Sequence, residues 1–104
     1  MLTVNVFYRR SDSIKFDMDY YFDTHLPLLQ KRVGSALQDV VVQRGIAGGT
    51  PGSAPEFEVI VLLRFASMEA FQAAFVPHAP EIRADVKNFS NVEPIIQFSD
   101  VRLA

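Results

Sequence analysis

Two histidines carry most of the chemistry this chain offers, and they stand in different settings. His25 lies inside "DMDYYFDTHLPLLQKRV", a stretch with helical apolar spacing. His78 lies between two prolines in "FVPHAPE". Histidine titrates near neutral pH, so it serves as a general acid or base or as a metal ligand. Two distant histidines, no H-x-x-x-H pattern and no cysteine leave too few ligands for a metal site. Haem asks for a single axial ligand, which His25 is able to give, but nothing else in the chain supports haem. No G-x-S-x-G points to a hydrolase. The glycine-rich "GIAGGTPG" is neither a P-loop nor a dinucleotide fingerprint, because it joins two strands and opens no helix. No cofactor is therefore expected.

The setting of His25 is read by angle. At about 100° per residue, Met18, Tyr21, Phe22, Leu28, Leu29 and Val33 share one face, and His25 falls in its middle. Asp19, Tyr20, Asp23, Thr24, Gln30 and Lys31 take the other face. Pro27 lies on that polar side and removes the N–H that would reach the Asp23 carbonyl, so a kink is expected beside His25. Such a kink opens room for a small molecule between helix and sheet. Tyr21, Phe22 and Leu28 flank the ring, and Tyr8 faces the same space from the first strand. A buried imidazole without a partner costs roughly 1–3 kcal/mol. His25 is thus either a hydrogen-bonded structural residue or a working group. Asp12, Asp17, Asp19, Asp23 and Asp85 fall on caps or polar faces, and no carboxylate is placed by spacing to orient His25. His78 reads as a connecting-loop residue, or else as a lining residue at the pocket mouth. Residues 45–55 form a Gly/Pro loop that reads equally as a plain hairpin connection or as a mobile lip or dimer contact.

The elements that must position these groups follow from the same pattern. "LTVNVFY" alternates as a strand. Asp17 caps a helix that runs to about Val33, where Gly34 stops it. "DVVVQRG" and "FEVIVLLRF" are the second and third strands. Ser67 caps "MEAFQAAFV", which Pro77 ends. "PEIRADVKNF" makes a further helical turn with Pro80 in its first turn, and "PIIQFSDVRL" is the last strand. The order β-α-β-β-α-β predicts an α+β, ferredoxin-like antiparallel sheet with helices on one face. Phe57, Val59, Val61, Leu63 and Phe65 form one side of the third strand, yet Ile60 and Leu62 make the other side apolar too. A second copy of the chain is expected to cover that open face in a two-fold homodimer.

Composition sets the outer bounds. At 104 residues a single domain spanning 1–104 is expected. Hydrophobic residues make up 49% of the chain and phenylalanine occurs nine times, which excludes disorder. A net charge of −2 without a basic stripe excludes nucleic acid and anionic membrane surfaces as partners. The longest aliphatic run, "VIVLL", is far too short to span a bilayer. The N-terminal residues do not read as a signal peptide. A cytoplasmic domain is the expectation.

"DYYFDTHLPLL" resembles the EthD family, whose first helix carries aromatic residues and then H-x-P-L, matched here by Tyr21, His25, Pro27 and Leu28. The resemblance continues through "RGIAGGTPGSAPEF", "SMEAFQAAF" and "NFSNVEPIIQFSDV", and so covers nearly the whole chain. It implies a dimeric α/β barrel, in which two sheets pack face to face and pockets lie between each sheet and its helices. The family takes its name from bacterial ethyl tert-butyl ether degradation and is loosely classed as oxidoreductase. Similar barrels carry many chemistries, so fold alone does not fix the reaction.

Two functions are consistent with these residues. In one, the domain is an oxidoreductase of cofactor-independent oxygenase type, or performs related proton transfer. It acts on a small apolar or aromatic molecule, with His25 as acid or base. In the other, it is a non-catalytic small-molecule-binding or accessory dimeric module, and His25 holds the kinked helix to the sheet.

Overall fold

Alternation of side chains makes the sheet. In the computed structural model, which describes residues 1–104, strand β1 (Leu2–Arg9) buries Leu2, Val4 and Tyr8. Strand β3 (Phe57–Phe65) buries Val59, Val61, Leu63 and Phe65. Strands β2 (Asp39–Arg44) and β4 (Ile95–Asp100) take the two edges in the order β2-β3-β1-β4, with every pair antiparallel. Val4 pairs with Leu63 and Phe98, and Val6 with Val61 and Ile96, so these side chains share one face. This is the expected ferredoxin-like α+β sheet.

The helical layer on that face is broken into short pieces. Helix α1 (Met18–Tyr20) starts where the Asp17 carboxylate accepts the Tyr20 N–H at 3.0 Å. A π turn (Tyr21–His25) follows, then helix α2 (Leu26–Val33), which Gly34 ends. Ser67 caps helix α3 (Met68–Phe75) by accepting the Ala70 N–H at 3.1 Å. Helix α4 (Ala79–Ala84) carries Pro80 in its first turn, as expected. Leu29 and Val33 of α2, Phe71 of α3 and Ile82 of α4 meet Val4, Val61 and Leu63 in one buried core.

The π turn changes which helical residues face inward. The Leu26 N–H donates to the Tyr21 carbonyl, five residues back. One extra residue in the turn rotates everything after it by about 100° relative to a regular helix. Tyr21, His25, Leu26, Leu29 and Val33 are therefore the buried set. Leu28 is only half-buried and Phe22 is 50% exposed, contrary to the regular-helix expectation that put both on the inner face. The irregularity sits one turn ahead of Pro27, on the exposed side where the proline was expected.

Two further departures concern the sheet. The β1–β3 register slips between Tyr8 and Arg9, and Phe57 leaves the row it was expected to share with Val59. Its ring packs on Phe7 at 5.0 Å, with the Arg9 guanidinium 5.1 Å from its centroid. The β2–β3 loop is a closed connection. The Gly48 N–H donates to Ser53 O at 3.0 Å, and Gly45 donates to Glu58 O at 2.9 Å. A side chain at Gly45 would run into the Phe57 carbonyl and the Pro55 ring. None of this loop borders the His25 cavity, so it does not serve that cavity as a lip.

Candidate functional site

The site begins with how the chain between α4 and β4 is tied down. The Asp17 N–H donates to Phe89 O at 2.8 Å, and the Lys15 N–H to the Asn91 side chain at 2.8 Å. These bonds fix the segment after α4 against the start of α1. Phe89 then inserts its ring among five aromatic side chains. The centroids of Tyr21 and His25 lie 4.9 and 4.5 Å from it, and Phe16, Tyr8 and Tyr20 lie at 5.3, 6.0 and 6.4 Å. Such edge and offset contacts each add about 0.5–1.5 kcal/mol beyond area burial. Tyr21 also stacks on His25, with centroids 5.3 Å apart and planes 24° apart.

His25 is 5% exposed, as its place on the inner face required. Its partner is a carboxylate after all. Nδ1 lies 2.9 Å from Oδ2 of Asp85, at the C-terminal cap of α4. The expectation that no acid orients His25 is thus corrected. Asp85 also accepts from the Tyr20 hydroxyl at 2.6 Å and from the Asn88 amide at 2.9 Å, both on Oδ1. Burial pushes its carboxyl up. The donors Tyr20, Asn88 and His25 outweigh that and hold it below the usual carboxylate value. An ionised carboxylate only accepts, so Nδ1 carries the hydrogen and donates. Burial pulls His25 below its ordinary value of 6.5, against the opposing pull of Asp85. The ring is therefore neutral near pH 7, with the Nε2 lone pair unused by the protein.

His25 borders open space. A cavity of about 440 Å³ lies between sheet and helices and is lined by His25, Tyr21 and Leu29 from the first helical stretch. Val4, Val6, Tyr8 and Leu63 line it from the sheet, and Phe71, Ala79 and Ile82 from α3 and α4. Its lining residues Val76, Ile96 and Phe98 are half exposed, so the cavity opens beside them, and Arg83 and Glu93 also line it. The lining is mostly apolar with few polar groups, the usual make-up of a small-molecule site. A wider surface depression of about 640 Å³ runs past Lys15, Lys87 and Asn91, but its walls are largely polar and exposed and no titratable group is buried there.

Of the residues singled out by sequence, His25, Tyr21 and Tyr8 meet at this cavity. Phe22 instead lines a separate shallow groove with Leu26, Pro27 and Val40. Leu28 does not border the cavity, and Leu29 takes the place expected of it. His78 is half-buried in the turn Val76–His78; its neighbours Val76 and Ala79 line the cavity but it does not. Asp85 and Phe89 are the residues that sequence reasoning missed. No three histidine, aspartate or glutamate side chains come together in a metal-holding arrangement.

The sheet, the one-sided helical layer and a carboxylate-paired imidazole bordering a cavity define a ferredoxin-like α+β domain with a candidate small-molecule site. The EthD domain model matches residues 13–93, and the chain belongs to the EthD family. An EthD-like protein from Ralstonia eutropha is 35% identical, with 98% of this chain and 92% of that one covered at a TM-score of 0.92. An EthD family protein from Bacillus halodurans shares the fold at 20% identity, 98% and 99% coverage and a TM-score of 0.72. A dimeric protein of unknown function and ferredoxin-like fold from Bacteroides fragilis matches at 10% identity, 96% and 94% coverage and a TM-score of 0.50. No curated protein matches the chain. No helix is long and apolar enough to cross a membrane.

Proposed function

We propose that this EthD-family domain is an enzyme that moves a proton on a small apolar or aromatic molecule, with His25 as the base. The supporting observation is the asymmetry of the imidazole. One nitrogen is anchored to Asp85, and the other is left without a protein partner beside an apolar cavity. Asp85 fixes the tautomer and ring plane and lends stability to the imidazolium once the proton has moved. The phenol or enol left behind becomes an electron-rich anion. Transfer of its electrons to oxygen without a metal is the oxygenase-type, oxidoreductase outcome; return of the proton at another atom is the isomerase-type outcome. Both begin with the same step at Nε2.

Both a catalyst and a binding module need the cavity. The second ring nitrogen, which makes no hydrogen bond within the chain, favours the catalytic reading over one in which His25 only holds the helix to the sheet. Phe7, Ile60, Leu62, Val41 and Ile95 populate the uncovered sheet face, and the Bacteroides relative is a dimer. A two-fold dimer through this face is the assembly we propose.

The test uses deuterium. Small apolar ketones and phenols are incubated with the protein in D2O, and exchange at carbon is followed by NMR. Exchange above background, abolished in His25→Gln with the fold retained, is the expected result. Equal exchange in both proteins removes His25 as the base.

A further inference from the structure

When a base takes a proton from a neutral molecule, the electron pair stays behind. In an apolar cavity that charge needs donors. Two such donors line the same cavity. Tyr8 is 2% exposed and Tyr21 is 3% exposed, and both line the His25 cavity. The Tyr20 hydroxyl is engaged with Asp85, but the hydroxyls of Tyr8 and Tyr21 make no hydrogen bond within the chain. No side-chain oxygen or nitrogen is sealed away without a partner. The unpartnered hydroxyls are therefore not sealed in the core, and they belong to residues that line the cavity.

The two phenols are also held together. Both rings rest on Phe16, at 4.9 Å for Tyr8 and 5.3 Å for Tyr21, and both on Phe89. They are near enough that charge on Tyr8 would oppose ionisation of Tyr21. Burial pushes both phenols up, with Glu93 adding to the rise at Tyr8 and Tyr8 to the rise at Tyr21, and both remain O–H donors well beyond neutral pH.

We infer that the Tyr8 and Tyr21 hydroxyls together bind the one substrate oxygen that turns negative as His25 removes a proton, which makes the substrate class a phenol or an enolisable ketone. This rests on His25 acting as the base. The substrate's O–H bond, or the C–H bond beside its carbonyl, breaks, and the proton goes to Nε2. The electron pair settles on the substrate oxygen, where two O–H groups donate to it. No electron leaves the substrate in this step. Hydrogen bonds to an ionised acceptor are roughly twice as strong as neutral ones, so the pair favours the deprotonated form.

The probes are 4-nitrophenol, whose ionised form absorbs in the visible, and 4-nitrotoluene, which has nearly the same shape and no acidic hydroxyl. The wild-type protein should bind both. At a pH below that of free 4-nitrophenol ionisation, the bound probe should show the ionised band. The double variant Tyr8→Phe/Tyr21→Phe should bind 4-nitrotoluene as before, lose the band, and bind 4-nitrophenol about tenfold or more weakly. Each single variant should show an intermediate loss, and the singles decide the matter if the double variant does not fold. An undiminished band in the tyrosine variants overturns the paired-hydroxyl site and leaves the His25 reading intact. Failure of the wild-type protein to bind either probe overturns both.

Discussion

The Nδ1 atom of His25 lies 2.9 Å from Oδ2 of Asp85, although 60 residues separate them. Asp85 raises the His25 pKa by its hydrogen bond and its charge, while burial lowers it further than Asp85 raises it. Replacing Asp85 with Asn removes the charge and keeps the volume. The His25 midpoint should then fall to lower pH. NMR titration of the ring protons reads this directly. A midpoint that stays or rises would show that Asp85 does not control the ring. Asp85→Ala strands the His25 and Tyr20 donors and should lower stability by about 1–3 kcal/mol, measured by urea unfolding.

Acid should weaken the fold in a defined window. His25 is lowered in the folded chain, so the unfolded chain holds more protons between that value and 6.5. The stability of the neutral ring is complete above 6.5 and drains away as pH falls through the folded value. Asp85, also lowered, continues the loss below the ordinary carboxylate value of 3.8. Melting temperatures recorded against pH should fall on the acid side of 6.5 in the wild-type protein. In His25→Gln that first part of the decline should be absent.

Closing the mouth should separate binding from stability. Ile96 lines the cavity and is 48% exposed, so a larger side chain meets no packed wall. Ile96→Trp should change stability by less than about 1 kcal/mol. Binding of 4-nitrotoluene should weaken about tenfold or more, as read by calorimetry.

Phe89 joins the tyrosines to the histidine. Phe89→Ala removes a ring that is 3% exposed and should lower stability by about 3–5 kcal/mol. The near-ultraviolet circular dichroism should lose most of its tyrosine signal, since Tyr8, Tyr20 and Tyr21 all rest on this ring.

The open sheet face can be tested with one charge. Leu62 pairs with Asn5 and Val41 on that side of β3. Leu62→Glu places a carboxylate in the centre of the face without touching the buried row. Sedimentation should show a dimer for the wild-type protein and a monomer of unchanged circular dichroism for the variant. A wild-type monomer would refute the sheet-face assembly.

Elements set by nearest neighbours were readable from sequence. The caps at Asp17 and Ser67 need only a side chain and an N–H three residues on. The order of strands and the inward aim of His25 follow from short-range periodicity. Asp85 was not readable, because its relation to His25 depends on how the segment around Phe89 docks on Asp17, a contact between distant parts of the chain. Phe22 and Leu28 were misplaced for a different reason. The wide turn at Tyr21–His25 shifts the helical phase, and periodicity assumes a constant one. Phe57 was misplaced because a one-residue slip in a ladder sends a side chain to the other face.

That wide turn amounts to an insertion the chain has absorbed. Remove one exposed residue from it, Asp23 or Thr24, and the buried apolar positions Tyr21, Leu26, Leu29 and Val33 fall into the spacing of an ordinary helix. The hydrophobic core would scarcely register the loss. The imidazole would, because its angle to Tyr21 and its reach toward Asp85 are set inside the turn itself. A shortened chain of this kind is expected to keep the architecture and lose the His25–Asp85 contact, so the length of this one loop of helix sets the orientation of the ring separately from the fold.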